Sequence, residues 1–380
     1  MNKKLNKIDK LINELCPEGV ESKELGEVLD YEQPTKYIVK SVKYDDNFET
    51  PVLTAGKNFI LGYTNEDFEI YDAERNNPVI IFDDFTTSFH WVDFNFKVKS
   101  SAMKMIKPKE NLEMNFRFIY YAMRCIGYEA QDHARHWISK YSKFKIPIPP
   151  LHIQKEIVKI LDSFTELEAE LEAELKARKK QYEYYRDELL SFDNGVEWSS
   201  LNEVCLLINA GGDLPKNYKK GQNKPTKEFP YPIFSNGSNE KALYGYTDNY
   251  KIDKAAVTIS ARGTIGYHAL RLAKFTPIVR LITLIPNTTL ITPKFLNYVL
   301  DMASIFGTDG GIPQLTVPTV KKIKIPVPSL SEQKRIVAIL DKFDALVNDI
   351  SIGLPAELSA RRKQYEYYRE KLLTFNSITN

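Results

Sequence analysis

KIPIPPLHIQKEIVKILDSF, residues 145–164, returns as KIPVPSLSEQKRIVAILDKF at 324–343, with 13 of 20 positions identical at a spacing of 179. RKKQYEYYRDELLSF (178–192) returns as RRKQYEYYREKLLTF (361–375) at a spacing of 183, so the second copy holds four more residues between its blocks. Further out, GVESKELGEV from Gly19 stands beside GVEWSSLNEV from Gly195, and the preceding KIDKLINEL takes the place of YEYYRDELL. A unit of this length is a duplicated domain, because solenoid repeats run to about 50 residues at most. The order is short helix, globular domain, long helix, globular domain, long helix. Duplication of that kind implies pseudo-two-fold symmetry.

The repeated blocks carry helical periodicity. Apolar residues at Ile157, Ile160, Leu161, Phe164, Leu167, Leu171, Leu175, Tyr182, Tyr185 and Leu189 step by threes and fours into one stripe. Asp193, Asn194 and Gly195 supply a stop. A helix over 151–192 would be about 60 Å long at ~1.5 Å per residue, more than one small domain can bury. The second copy repeats the stripe until Gly353 and Pro355, where proline's missing N–H and ring clash predict a break. Two such helices bury their stripes most economically against each other, antiparallel under a two-fold axis. Leu161, Phe164, Tyr182 and Tyr185, with Leu340, Phe343, Tyr365 and Tyr368, are the expected spacer or partner interface. The expected fold is α+β: two mixed α/β domains separated by two long antiparallel coiled-coil helices in a pseudo-two-fold repeat. The divisions are 1–20, 21–150, 151–192, 193–329 and 330–375, the last broken near 353–355.

Composition agrees with a folded chain, at 43% hydrophobic and 27% charged residues. There is no apolar run of about 18 residues and no secretory leader pattern, so a cytoplasmic protein with no membrane role is expected. Three separated cysteines, Cys16, Cys125 and Cys205, suggest neither disulfides nor a zinc site. A net charge of +2 hides local contrast, with five glutamates between Glu166 and Glu174 and lysine-rich stretches elsewhere.

The globular segments share a plan, a helix at NFRFIYYAMRC answering one at PKFLNYVLDMA, yet their interiors barely match. Two readers of different targets would look like this. In the second, AVTISARGTIGYHAL reads as strand, turn and strand, with Gly263 and Gly266 permitting a tight turn. Arg262 at its tip can reach guanine or phosphate, with Thr264 beside it; a solvated arginine on an ordinary hairpin is the competing reading. Lys216, Asn217, Tyr218, Lys219 and Lys220 suit phosphate contact with amide readout, although a lysine-rich loop is commonly plain surface. In the first domain the candidates are Lys97, Lys99 and Lys104 in FKVKSSAMK and Arg135, His136, Trp137 and Lys140 in DHARHWISKYSK. The latter corresponds to GGIPQLTVPTVKK, which contributes Gln314. His133 and His136 have the spacing of a metal pair but lack a third ligand, so no metal site is expected.

No catalytic motif is found. VIIFDDF lacks the GxxxxGK[ST] loop that would hold a phosphate, FGTDGG at Phe306 is followed by Ile312 and Pro313 where a helix should open, and no [DN]PP[YF], GxSxG or HExxH occurs. KIPIPPLHIQKEIVKILDSF, RRKQYEYYREKLL and ISARGTIGYH resemble the specificity subunits of Type I restriction-modification systems, and the resemblance covers nearly the whole chain. It implies two target-recognition domains, each reading half of a split double-stranded DNA sequence. The helices would set the gap and dock adenine-methyltransferase subunits, joined by restriction and translocase subunits. S-adenosylmethionine, ATP and Mg²⁺ would then sit on those partners, with no cofactor and no catalytic residue in this chain. A duplicated coiled-coil adaptor that never touches DNA is the alternative. A nuclease built on Asp83 and Asp84 is a second.

Overall fold

The computed structural model describes residues 2–54, 59–110, 112–132, 134–192, 195–303, 305 and 314–378. His133, Asp193, Asn194 and the glycine-rich stretch 306–313 lie outside the described residues. The chain divides into two compact units, 1–171 with 358–380, and 172–357.

The first unit holds α1 (Asn2–Leu15), β1 (Ser22–Glu24), α2 (Leu25–Val28), β2 (Leu29–Glu32), β3 (Thr50–Leu53), β4 (Ile60–Thr64), β5 (Val79–Asp83), β6 (Phe89–Val92), β7 (Lys97–Val98), β8 (Met103–Pro108), α3 (Phe116–Met123), α4 (His136–Ser139) and β9 (Lys145–Pro147). The 40-residue α5 (Leu151–Leu190) begins in it and continues into the second unit. There follow β10 (Trp198–Ser200), α6 (Leu201–Val204), β11 (Cys205–Ala210), β12 (Tyr218–Lys220), β13 (Tyr231–Phe234), β14 (Leu243–Thr247), β15 (Ala256–Ser260), β16 (His268–Arg271), β17 (Thr276–Pro277), β18 (Leu281–Pro286), α7 (Pro293–Leu300), α8 (Val317–Lys321), β19 (Lys324–Pro326) and α9 (Leu330–Val347). Most of α10 (Leu354–Leu373) belongs to the first unit.

The two domains have one plan. A four-stranded antiparallel sheet of order β2-β8-β5-β6 answers β11-β18-β15-β16, and a smaller sheet β4-β3-β7 answers β14-β13-β17, to which the second domain adds edge strand β12. The central strands VIIFD and AVTIS are buried on both faces, which is why they read as continuous apolar runs without alternation. Phe82, Phe118, Tyr121, Ile157 and Leu161 share one core; Val257, Ile259, Phe295, Ile336 and Leu340 share the other.

The repeated helix residues are the ones that seat the domains. Buried Gln154 accepts from the Asn115 amide at 2.8 Å and donates to Pro149 O at 2.7 Å; buried Gln333 accepts from the Thr292 amide at 2.9 Å and donates to Pro328 O at 2.9 Å. The Tyr121 hydroxyl donates to Asp162, and that of Tyr298 donates to Asp341 at 2.9 Å. Phe164 stacks on Tyr368 at 5.6 Å between centroids, and Phe343 stacks on Tyr185 at 5.5 Å. Within the first unit Phe164 meets Tyr365 and Tyr368 while Glu168 pairs with Arg362 at 2.6 Å, so α10 runs antiparallel to α5.

The expected long second helix is therefore two helices, each packed on a different half of α5. Pro355 sits in the first turn of α10, where a missing N–H costs nothing, so it opens a helix rather than interrupting one. A Cβ on Gly353 would meet Ala345 O at 2.4 Å, which explains glycine in the join. At the other end, the Val20 amide donates to Asn376 O at 2.8 Å. The first repeat thus closes by hydrogen bonding where the second is joined through the chain.

Candidate DNA interface

In the second domain the β15–β16 hairpin ends in a loop held from within. The Ser260 amide donates to Tyr267 O at 2.8 Å and the Gly266 amide to Ser260 O at 3.1 Å, while Gly263 and Gly266 take left-handed φ values of 78° and 84°. Asn236, from the end of β13, clasps the loop: its Nδ2 donates to Arg262 O at 2.7 Å, and its carbonyl accepts from the hydroxyls of Ser260 at 2.9 Å and Thr264 at 2.7 Å. Thr264 is exposed, but its hydroxyl proton is committed to this clasp. Two neighbouring segments are tied to Ala261, whose amide donates to Arg280 O at 2.9 Å and whose carbonyl accepts from the Leu315 amide at 2.8 Å. Arg262, Arg280 and Gln314 consequently belong to segments joined at one residue, with Arg280 and Gln314 exposed and Arg262 half-buried.

Sequence reading missed Arg280. It holds φ 70°, a left-handed conformation that residues other than Gly, Asn and Asp seldom adopt, and no residue pattern in PIVRL announces it. Asn236 was missed for the same reason: its role depends on a loop it meets only in three dimensions.

The lysine-rich stretch forms β12, an edge strand paired with β14. Lys216, Lys219 and Lys220 are exposed, and Lys220 lies 5.5 Å from the Tyr244 ring centroid. Tyr218 is half-buried, its ring 6.1 Å from that of Tyr244. Asn217 donates to Asp248 at 2.9 Å, so its amide fixes the strand entry instead of facing outward unpartnered.

The first domain builds the same tip from different residues. The Asp84 amide donates to Ala102 O and the His136 amide to Asp84 O, each at 2.9 Å, repeating the two ties made by Ala261. Four expected contact residues, Lys97, Lys104, His136 and Trp137, turn inward and a fifth, Lys99, is engaged, correcting the sequence reading. Lys97 is fully buried, 3.0 Å from Glu66 and donating to Phe68 O at 2.8 Å. Lys104 is buried 3.1 Å from Asp84. Trp137 packs its ring on Phe82 and Tyr141 inside the core and gives its amide proton to Asp84 at 2.8 Å. His136 is buried, with Nδ1 3.1 Å from the Tyr128 hydroxyl and Nε2 3.2 Å from the Asp132 carboxylate. Lys99 is half-buried and donates to the Tyr44 hydroxyl at 3.1 Å. Arg135 and Lys140 remain exposed, with Ile138 between them 61% exposed.

The acidic pair is likewise engaged. Asp83 accepts from the Phe85 amide at 2.9 Å and the Thr86 hydroxyl at 2.6 Å, shaping the turn, while Asp84 holds Lys104 and Trp137. Among the described residues no group of three or more His, Cys, Asp or Glu side chains is arranged to hold a metal ion.

The spacer candidates meet in two matching sets. Leu161, Phe164, Tyr365 and Tyr368 lie in the first unit's core, and Tyr182, Tyr185, Leu340 and Phe343 come together in the second. The intervening tyrosines Tyr184 and Tyr367 are 65% and 61% exposed.

The family described as Type I restriction modification DNA specificity domain matches this chain twice, over residues 17–178 and 194–360. The chain belongs to the Type I restriction-modification specificity subunits. It is 42% identical to the EcoR124I/EcoR124II specificity subunit of Escherichia coli over 92% of this chain and 93% of that one. A specificity subunit assigned to Haemophilus influenzae is 33% identical over 94% and 96%. Among solved structures, an S subunit from M. genitalium superposes with a TM-score of 0.60 at 17% identity, covering 93% of this chain and 96% of that one, a likeness that bears on the fold. The specificity subunit described here thus has two recognition domains joined by a long helix, the arrangement that fits a bipartite target. Among the described residues no helix is long and apolar enough to cross a membrane.

Proposed function

We propose that each domain reads one half of a split DNA target through its hairpin tip and adjoining segments, Arg262, Arg280, Gln314 and β12 in one domain, Arg135 and Lys140 in the other. The observation that carries this reading is the contrast within one frame: the ties at Ala261 and Asp84 match, while the side chains around them differ completely. Matching frames with different tips suit one docking geometry and two sequences. The helices would set the gap and seat adenine-methyltransferase subunits, with restriction and translocase subunits completing the assembly in the cytoplasm. S-adenosylmethionine, ATP and Mg²⁺ would be bound by those partners, and this chain would supply no catalytic group.

The test is a genome-wide map of methylated adenines in cells expressing the methyltransferase partner, with and without this chain. A split motif that depends on the chain is expected; none, with a partner proven active alongside another specificity subunit, would refute the reading. Side-chain roles separate in the same system. Arg262→Ala is expected to relax one position of one half-sequence, losing about 1–3 kcal/mol of discrimination, as for an arginine paired with guanine. Lys219→Ala should instead weaken binding to all duplexes alike and lower the slope of log affinity against log salt by about one.

A further inference from the structure

His268 opens β16 directly after the loop that carries Arg262 and Thr264, and its side chain is 11% exposed. Its Nδ1 lies 3.1 Å from Gly266 O, and its Nε2 lies 3.2 Å from the carboxylate of Asp301, the residue that ends α7. Both partners can only accept. A neutral imidazole has one N–H, so only the doubly protonated ring satisfies both contacts. The left-handed bend at Gly266 turns its carbonyl back toward the ring, and a Cβ there would approach Ile305 O at 3.4 Å. We propose that His268 is a positioning residue: its imidazolium braces the 261–267 loop against α7, so that DNA reading by the second domain weakens as the ring loses its proton. This rests on the reading of that loop as DNA-facing.

The surroundings favour the cation. Asp301, Tyr298 and Lys294 face this region from α7, Tyr182 and Arg186 from α5, and Asp341 and Asp344 from α9, while Arg271, three residues along β16, points to the other face of the strand. Lys294 pairs with Asp341 and Arg186 with Asp187, while Arg271 lies over the Phe234 ring and donates to Thr258. Burial works to discharge the imidazole, but Asp301 and the Gly266 carbonyl outweigh it and raise its pKa above the ordinary value. A raised folded-state pKa leaves the brace complete at and below the ordinary imidazole range and removes it as pH rises through the raised value. The first domain has Phe89 at the matching place, packed against Tyr120 and Tyr141, so the acid dependence belongs to one half-site only.

The full chain, labelled at its five histidines, is titrated by NMR with His268→Gln used for assignment. The His268 resonance should titrate above the ordinary range, and Asp301→Asn should bring it down. In parallel, affinity for a duplex pool is measured from pH 6 to 9 at fixed salt for the wild type, His268→Gln and His268→Phe. The wild type should lose about tenfold as the ring discharges, the worth of a hydrogen bond to a charged group, and both variants should lack that component. A ring that titrates at or below the ordinary value, or a variant that keeps the wild-type pH profile, overturns the proposal. Absence of duplex binding at every pH, with the His268 resonance still titrating above the ordinary range and Asp301→Asn still lowering it, would overturn the DNA reading and leave the brace standing.

Discussion

Lys104→Met is expected to destabilise the first domain by about 3–5 kcal/mol, the cost of leaving one charge of a buried pair without its partner. Lys104 projects from β8 into a site where its side chain and that of Asp84 are each 2% exposed, and the ammonium also lies 4.5 Å from the Tyr31 ring. Asp84 cannot turn away, because its carboxylate accepts from the Trp137 amide and its carbonyl from the His136 amide. Methionine fills the volume and leaves the anion. Asp84→Asn in the same chain removes that anion while keeping an acceptor for Trp137, so the double variant should recover more than half of the loss in a double-mutant cycle. Urea unfolding followed by the fluorescence of Trp91 and Trp137 reports it as a lower midpoint at unchanged slope. A loss below about 1 kcal/mol would mean that the pair is solvated and would return Lys104 to the DNA-facing candidates.

Those lysines show where sequence reading stops. FKVKSSAMK alternates lysine with apolar residues, the pattern of a strand with one solvated face, and nothing local reveals that Glu66 and Asp84 wait on the other side. Burial of Lys97 and Lys104 is a tertiary property. So is the inward turn of His136 and Trp137, whose neighbours Arg135 and Lys140 stay outside on the same short segment. The helices were legible for the opposite reason. Gln154 and Asp162 recur as Gln333 and Asp341 because each ties a domain to its helix through the same hydrogen bonds, and Phe164 recurs as Phe343 because each stacks on a tyrosine of the facing helix, so the duplication preserved the residues with the contacts. The hairpin tip at Arg262 was legible from its glycines, whereas Arg280 beside it was not.

Lengthening the spacer is expected to change the gap in the DNA target and leave both half-sequences intact. LEAE at 167–170 is followed by LEAE at 171–174, and Leu167, Leu171 and Leu175 are only half-buried, while the residues that seat the helix begin before and after this stretch. A third LEAE inserted after Glu174 adds about 6 Å of helix and turns it by about 40°, which keeps leucine at the same four-residue step. The α9–α10 join at 348–353 must lengthen too, so four residues are added there as well. Each half of α5 then keeps its own partner, Phe164 with Tyr368 and Phe343 with Tyr185. At ~3.4 Å per base pair the added helix corresponds to a gap longer by one or two base pairs. Mapping methylated adenines with the lengthened chain distinguishes the outcomes. Unchanged half-sequences at a wider gap would establish the helices as the measure of the target; an unchanged gap would show that the domains find their half-sites independently of the spacer. Loss of methylation altogether, with both domains shown folded, would mean that the same helical stretch is needed at its native length to seat the methyltransferase, and the insertion after Glu174 without the second would then locate which connection the partner reads.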